Sequence, residues 1–154
     1  MLDQTPPQPL LELSKLDVSL GIKKRIVKSV SLTVNPGEIV AVIGESGSGK
    51  SVTALAATRL LPPALRASGG QVLFEGKDLL QQSETQLNDI RGGGIGMLFQ
   101  QPQAMLDPSS RVHAQVSEPL RHHHGMSGRA AFKEVVSLLE SVGIPSPVRR
   151  AMAF

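Results

Sequence analysis

Cysteine, tyrosine and tryptophan are absent from the 154 residues, and phenylalanine occurs only at positions 74, 99, 132 and 154. Without cysteine the chain forms no disulfide and no thiolate zinc site, which is compatible with a reducing compartment. With aromatics at 3%, the ring platforms on which single-stranded nucleic acid stacks are scarce. The net charge of +3 and pI near 9.6 therefore read as a solvated basic surface, and no nucleic-acid partner is expected. Basic residues are scattered, apart from Lys23-Lys24-Arg25 and Arg149-Arg150. No apolar run is long enough to cross a bilayer. Residues 1–9 are polar and proline-rich, without the apolar core of a signal peptide. Any membrane role would run through a partner. What is present, 40% apolar and 19% charged residues, suits one soluble domain with a real core.

One stretch organises the rest. Gly44-Glu45-Ser46-Gly47-Ser48-Gly49-Lys50-Ser51 fits G-x-x-x-x-G-K-[ST], the phosphate-binding loop. Glycine at 44, 47 and 49 allows positive φ and lets backbone approach a phosphate with no Cβ between. Successive N–H groups then make an anion nest, reinforced by the positive end of a following helix. Lys50 is placed for the β- and γ-phosphates, and the Ser51 hydroxyl suits Mg²⁺. The flanks agree with this reading. Ile39-Val40-Ala41-Val42-Ile43 is apolar throughout, as in a parallel strand buried on both faces, and residues 51–61 suit a helix.

Ahead of the loop, residues 10–20 and 26–34 alternate as strands, and Asn35-Pro36-Gly37-Glu38 is a type II turn. Together they predict a small antiparallel layer before a parallel core. Beyond the loop helix, Leu61-Pro62-Pro63 is expected to stop it, and Gly69-Gly70 to open a strand over 71–74. Glu75-Gly76-Lys77-Asp78 reads as a tight turn, and Ser83-Glu84-Thr85-Gln86 as a capping box for a helix to about Ile90. Gly92-Gly93-Gly94 breaks that helix, and Ile95-Gly96-Met97-Leu98-Phe99 reads as a second buried strand. A helix over 112–123 is expected to be interrupted by Pro119. Another over 127–142 carries Ala131, Val135, Leu138 and Val142 on one face, with Ser127 capping its start and Gly143 its end. Residues 146–154 show no settled pattern. His122-His123-His124 reads as an exposed polar turn, since three adjacent side chains do not converge on one metal and no fourth ligand is evident.

These pieces in this order resemble the ATP-binding subunits of ATP-binding-cassette (ABC) transporters, in the branch of oligopeptide, dipeptide and nickel importers. The residues that carry the resemblance are 44–51 with Val52-Thr53-Ala54, 95–102 (Ile95 through Phe99, then Gln100-Gln101-Pro102), and Leu106-Asp107-Pro108. Pro36-Gly37-Glu38 before the loop strand is also similar. The resemblance implies an α/β fold, the N-terminal part of a P-loop NTPase nucleotide-binding domain: antiparallel layer, parallel core strands, and the start of a helical subdomain. Residues 1–9 are expected as a disordered lead, and from about Leu10 the resemblance implies a β-rich core with phosphate loop and Q-loop over 10–108 and a helical subdomain over 109–154. Gly44, Ser46, Gly47, Ser48, Gly49, Lys50, Ser51 and Val52 would hold ATP. Ser51 and Gln100 would bind Mg²⁺, with Gln100 also placing the attacking water. Residues 100–108 and those after Ser109 would meet membrane permease subunits, at the cytoplasmic face of the inner (plasma) membrane. A second ATP-binding subunit would complete the site.

The departures carry equal weight. The family continues into an LSGGQ-like signature, an apolar strand ending in Asp-Glu, and a switch histidine, and none of these is among the 154 residues. The sequence reads as truncated before the signature. The adenine-stacking aromatic ahead of the loop is missing too. The expected function is therefore the phosphate-binding and Q-loop half of a peptide importer's ATPase, binding nucleotide weakly and inactive in hydrolysis alone. Two other readings stay open: a non-enzymatic nucleotide-binding or interaction module, and a different P-loop enzyme such as a small kinase, for which Asp107 and Glu118 are the evident acids.

Overall fold

The computed structural model describes residues 8–22, 24–100 and 105–154. The chain divides into two compact units, 1–87 and 88–154. The first is built on a four-stranded antiparallel sheet in the order β2-β1-β3-β4, with β1 Leu11–Leu20, β2 Lys24–Val34, β3 Leu65–Phe74 and β4 Lys77–Asp78. Helix α1, Lys50–Ala57, joins β2 to β3 through the glycine loop. Buried Leu13, Leu16, Val18, Val27, Val72, Phe74, Ala56, Ala57 and Leu79 make its core.

The loose alternation of β1 has a structural cause. Leu13 and Leu16 are three residues apart, an odd step that would place them on opposite faces of a regular strand. A register shift between them, with Lys15 at φ 48°, absorbs the extra residue, and both side chains are buried. Partner residues support the irregular stretch. Lys15 N donates to Ser31 Oγ (3.0 Å), and Ser29, at φ 49°, donates its N–H to Asp17 Oδ1 (3.0 Å). On β3, Gly70 lies at φ 81° against the same bulge, where a Cβ would collide with the carbonyl oxygens of Ser14 and Lys15. Gly69-Gly70, expected to open the strand, thus lies within it. Pairing with β1 extends β3 back to Leu65, opposite Leu20. Glu75 and Gly76, both at positive φ, make the expected turn, while Lys77 and Asp78, read as part of it, pair with Phe74 and Leu73 as β4.

Helix α1 stops earlier than the prolines require. Arg59 N donates to Ala56 O (3.1 Å) and Leu60 N to Leu55 O (2.8 Å), a Schellman termination with Arg59 left-handed at φ 52°. Arg59 takes the strained position that glycine usually fills, and its guanidinium donates to the carbonyls of Leu79 (3.3 Å) and Gln82 (2.6 Å). The capping box at 83–86 forms in both directions: Ser83 N donates to Gln86 Oε1 (2.9 Å), and Gln86 N to Ser83 Oγ (3.4 Å). Helix α2 comes next, Glu84–Ile90.

The second unit is helical, with α3 Val112–His124, α4 Gly128–Ser141 and α5 Pro147–Ala151. Pro119 does not interrupt α3; the helix runs through it. Ser127 occupies the N-cap of α4 without a side-chain hydrogen bond, and Gly143, at φ 76°, closes a Schellman end in which Ile144 N reaches Leu139 O (2.9 Å). Pro147 starts α5, where its fixed φ and missing N–H are no handicap.

The expected parallel core strands are the main correction. Residues 39–43 and 95–99 join no ladder among the described residues; the single parallel contact there is an isolated bridge between Arg91 and Ile95. Ile39 and Ile43 are 95% and 93% exposed, and Leu98 is 96% exposed. A strand apolar on both faces acquires its conformation from neighbours, and the sheet that is present is antiparallel and ends elsewhere.

Candidate functional site

The glycine loop leaves the apolar segment and enters α1 directly. Gly49 is the N-cap at φ 96°, ψ 3°, and Gly47 lies at φ 81°; both positions exclude ordinary side chains. Gly44 differs: it is not left-handed, and a Cβ there would stand 2.8 Å from Ser48 Oγ, a contact that rotation of the serine side chain relieves. The loop is tied by Ser48 N to Glu45 O (3.2 Å), and its helical end by Thr53, whose N–H and Oγ1 both reach Gly49 O (2.8 and 3.0 Å). Beside it runs β2, close enough that a Cβ on Gly49 would meet Val27 Cγ2 at 3.3 Å.

Lys50 folds back over the loop. Its ammonium donates to the carbonyls of Gly44 and Glu45, both at 2.7 Å, and stands 3.4 Å from Ser48 Oγ. The cation is thus held above the backbone that would surround an anion, with two hydrogen bonds that a phosphate oxygen is able to replace. The N–H groups of Lys50, Ser51 and Val52 fall in the first turn of α1, where no carbonyl four residues back satisfies them within the helix. Cation and donors converge on one exposed loop, and their chemistry suits phosphate. Ser46 and Ser51 are exposed beside them. Ser51 presents a single neutral oxygen, and no group of three or more His, Asp or Glu side chains capable of holding a metal is found among the described residues. A Mg²⁺ there fits as an ion brought by the phosphates and steadied by one hydroxyl.

Gln100 is exposed and belongs to the second unit, while the loop belongs to the first. Of the stretch 100–108, residues 101–104 lie outside the described residues. The turn at 107–110 is well tied. Asp107 Oδ1 accepts from Ser109 N (2.8 Å) and Ser109 Oγ (2.7 Å), and these bonds hold its carboxyl below the usual value of 3.8. The carboxamide of Gln115, on α3, brackets the same turn: it accepts from Asp107 N (2.8 Å) and donates to Asp107 O and Ser110 O (both 2.9 Å). Sequence reading missed Gln115. The available signal was Asp-Pro-Ser-Ser, an Asx-turn composition in need of an anchor.

His122, His123 and His124 lie in the last turn of α3, not in a turn outside it, and basic side chains there complement the helix dipole. Two of them, with Arg91 and Glu118, line an open cavity of about 690 Å³ in the second unit that contains no loop residue.

The sequence pattern of the ABC transporter family matches residues 27–152. The oligopeptide transport ATP-binding protein OppD of Bacillus subtilis is 43% identical over 149 residues, covering 94% of this chain and 42% of that protein. The dipeptide transport ATP-binding protein DppD of the same organism is 42% identical over 147 residues, covering 93% and 44%. The peptidoglycan transport ATP-binding protein YejF of Agrobacterium fabrum is 41% identical over 157 residues, covering 99% and 29%. This chain therefore spans less than half the length of these relatives. A bacterial ABC transporter cassette solved as a dimer superposes with a TM-score of 0.76 at 25% identity, covering 93% of this chain and 60% of the cassette. The same cassette, solved bound to ADP and Pi in a post-hydrolysis state, gives the same score. With the phosphate loop in place at the head of α1 and the family match spanning most of its residues, the chain belongs to the ABC transporter family.

Proposed function

We propose that this chain is the phosphate-binding part of an ATP-binding subunit for import of peptides or similar solutes. The observation that carries the proposal is the convergence of Lys50 Nζ, the left-handed glycines 47 and 49, and the first-turn N–H groups of α1 on one exposed loop. Gly44, Ser46, Gly47, Ser48, Gly49, Lys50, Ser51 and Val52 hold the ATP phosphates. Ser51 would steady a Mg²⁺ carried by the phosphates, and Gln100, in the second unit, would serve as a further Mg²⁺ ligand and position water. When bound, Mg²⁺ neutralises charge on the phosphates. Residues 10–108 serve nucleotide, and 109–154 face permease subunits at the cytoplasmic side of the plasma membrane, with a second ATP-binding subunit across the nucleotide. No helix among the described residues is long and apolar enough to cross a membrane.

Phosphoryl transfer needs charge stabilisation at both ends of the reacting phosphate. The loop supplies one end. No apolar run after Phe99 ends in Asp-Glu, so these residues bind nucleotide without turning it over. Equilibrium dialysis with Mg-ATP tests the site: binding by the chain, and a loss of about tenfold or more in Lys50→Ala, are expected from the removal of charge-assisted bonds. Equal binding by the variant would refute the site. Steady-state turnover within the ~1–100 s⁻¹ range of competent kinases would refute the assigned inactivity.

A further inference from the structure

The run Ile39-Val40-Ala41-Val42-Ile43 reads the same in both directions about Ala41. No turn or bend interrupts residues 38–45, and no backbone group of 39–43 bonds another backbone group among the described residues. The segment therefore stands outside the four-stranded sheet with its donors and acceptors open to a strand partner. In a paired strand residues 39, 41 and 43 share one face, and 40 and 42 the other. Ile39 and Ile43 are almost fully exposed and Ala41 is exposed with them, whereas Val40 is half-buried. The open face is the one bearing both isoleucines. Two copies paired antiparallel about Ala41 set Ile39 opposite Ile43, Val40 opposite Val42 and Ala41 opposite itself, on both sides of a two-fold axis. The flanking charges select this direction. Antiparallel register places Glu38 opposite Gly44 and Glu45 opposite Gly37, so no carboxylates meet. Parallel register would set Glu38 on Glu38 and Glu45 on Glu45, like charges directly opposed. The other exposed apolar run, 95–99, has glycine at its second position and is not self-complementary.

We propose that residues 38–44 are a self-association surface, on which a second copy of this chain pairs antiparallel about Ala41. Gly44 and its counterpart then lie six residues apart along the ribbon, about 20 Å, and the two phosphate loops leave it at opposite ends. The contact is independent of the phosphate-binding reading. A ribbon this short is a transient interface, which covalent trapping reads better than chromatography. The chain has no cysteine, so an introduced one reports only its own neighbours. Ala41→Cys, Ile39→Cys and Ile43→Cys each replace an exposed side chain in the full chain. Oxidised glutathione takes the two electrons and two protons that a pair of thiols gives up on forming the disulfide. Position 41 faces itself within the reach of a disulfide, whereas 39 and 43 each lie four residues, about 13 Å, from their own counterparts. On non-reducing gels Ala41→Cys is expected to give at least about tenfold more dimer than either isoleucine variant alone, and mixing those two should restore the crosslink. Equal self-crosslinking at all three positions, as in parallel stacking or unspecific collapse, would overturn the proposal, and so would no crosslink at any position. A mixture that stays monomeric would overturn the register. Adding Ile39→Lys and Ile43→Lys to Ala41→Cys sets like charges opposite each other and should lower the dimer yield about tenfold. An unchanged yield would overturn the assignment of the contact to this segment.

Discussion

The apolar segment 39–43 gives the sharpest test of how the first unit is stabilised. Ile39 and Ile43 are almost fully exposed, so the unit's stability does not draw on them. Replacing both with lysine in the 154-residue chain should change unfolding free energy by no more than about 0.5 kcal/mol, the range of exposed positions away from special features. Were the segment an interior strand of this unit, each isoleucine would contribute about 1.5–3 kcal/mol by burial, and two buried charges would add to the loss. The two cases differ by several kcal/mol, well above the error of a urea titration followed by far-UV circular dichroism. Leu16→Ala, at a side chain with no exposure, is the internal control and should cost about 2–5 kcal/mol. The double variant should also stay in solution at concentrations where the parent sediments, since an apolar run of high β-propensity has been broken by charge. The sign reverses when the remaining part of a related ATP-binding subunit is co-expressed. If that part covers residues 39–43, the lysines should abolish co-purification that the parent shows. A loss above about 3 kcal/mol in the chain alone would refute the reasoning, because it would place these side chains in the core.

The other predictions concern backbone and turn. Gly70→Ala should destabilise the first unit by about 2 kcal/mol or more, combining a left-handed φ with a clash against the Ser14 and Lys15 carbonyls, and thermal unfolding reports it. Gln115→Leu removes all three bonds to the Asp107–Ser110 turn and should speed amide hydrogen exchange at Asp107 without melting α3. The same turn should respond to acid. Asp107 has its carboxyl depressed by Ser109, and a depressed carboxyl contributes stability above its unfolded value and loses it as pH falls through the folded one. Protection of the Ser109 N–H should be level from neutral pH to about 5 and decline below about 4, whereas Asp107→Asn should flatten that decline.

Much of the site was legible because it depends on local rules. The glycine loop, the turn at 35–38 with Gly37 at φ 74°, the capping box and the Gly143 stop each arise from residues within a few positions of one another. What sequence reading misplaced depends on partners. The step from Leu13 to Leu16 looked like imperfect alternation and is a bulge, recognisable only once Ser31 and Gly70 are seen across from it. The end of α1 was assigned to Leu61-Pro62-Pro63, whereas the helix ends at Ala57 with Arg59 left-handed beyond it, its guanidinium on carbonyls at 79 and 82. Strands at 39–43 and 95–99 were inferred from composition. Their apolar residues are where expected, but composition does not supply the neighbouring strands that turn such a segment into a ladder.

The sheet order has a consequence for continuity of the chain. β1 is hydrogen-bonded to β2 on one side and to β3 on the other, so both ends of the segment 35–64 are held by a single strand. That segment contains the whole phosphate loop and α1. The β1–β2 hairpin closes over a short turn and needs nothing from the loop, while the β1–β3 ladder must close around it, making it the costlier and later step in assembly. Once both ladders exist, the covalent link through residues 39–43 is redundant for holding the sheet together. A single proteolytic cut there would leave two pieces joined by β1, and the first unit would tolerate new chain ends or an inserted segment at the very place where its apolar residues face solvent.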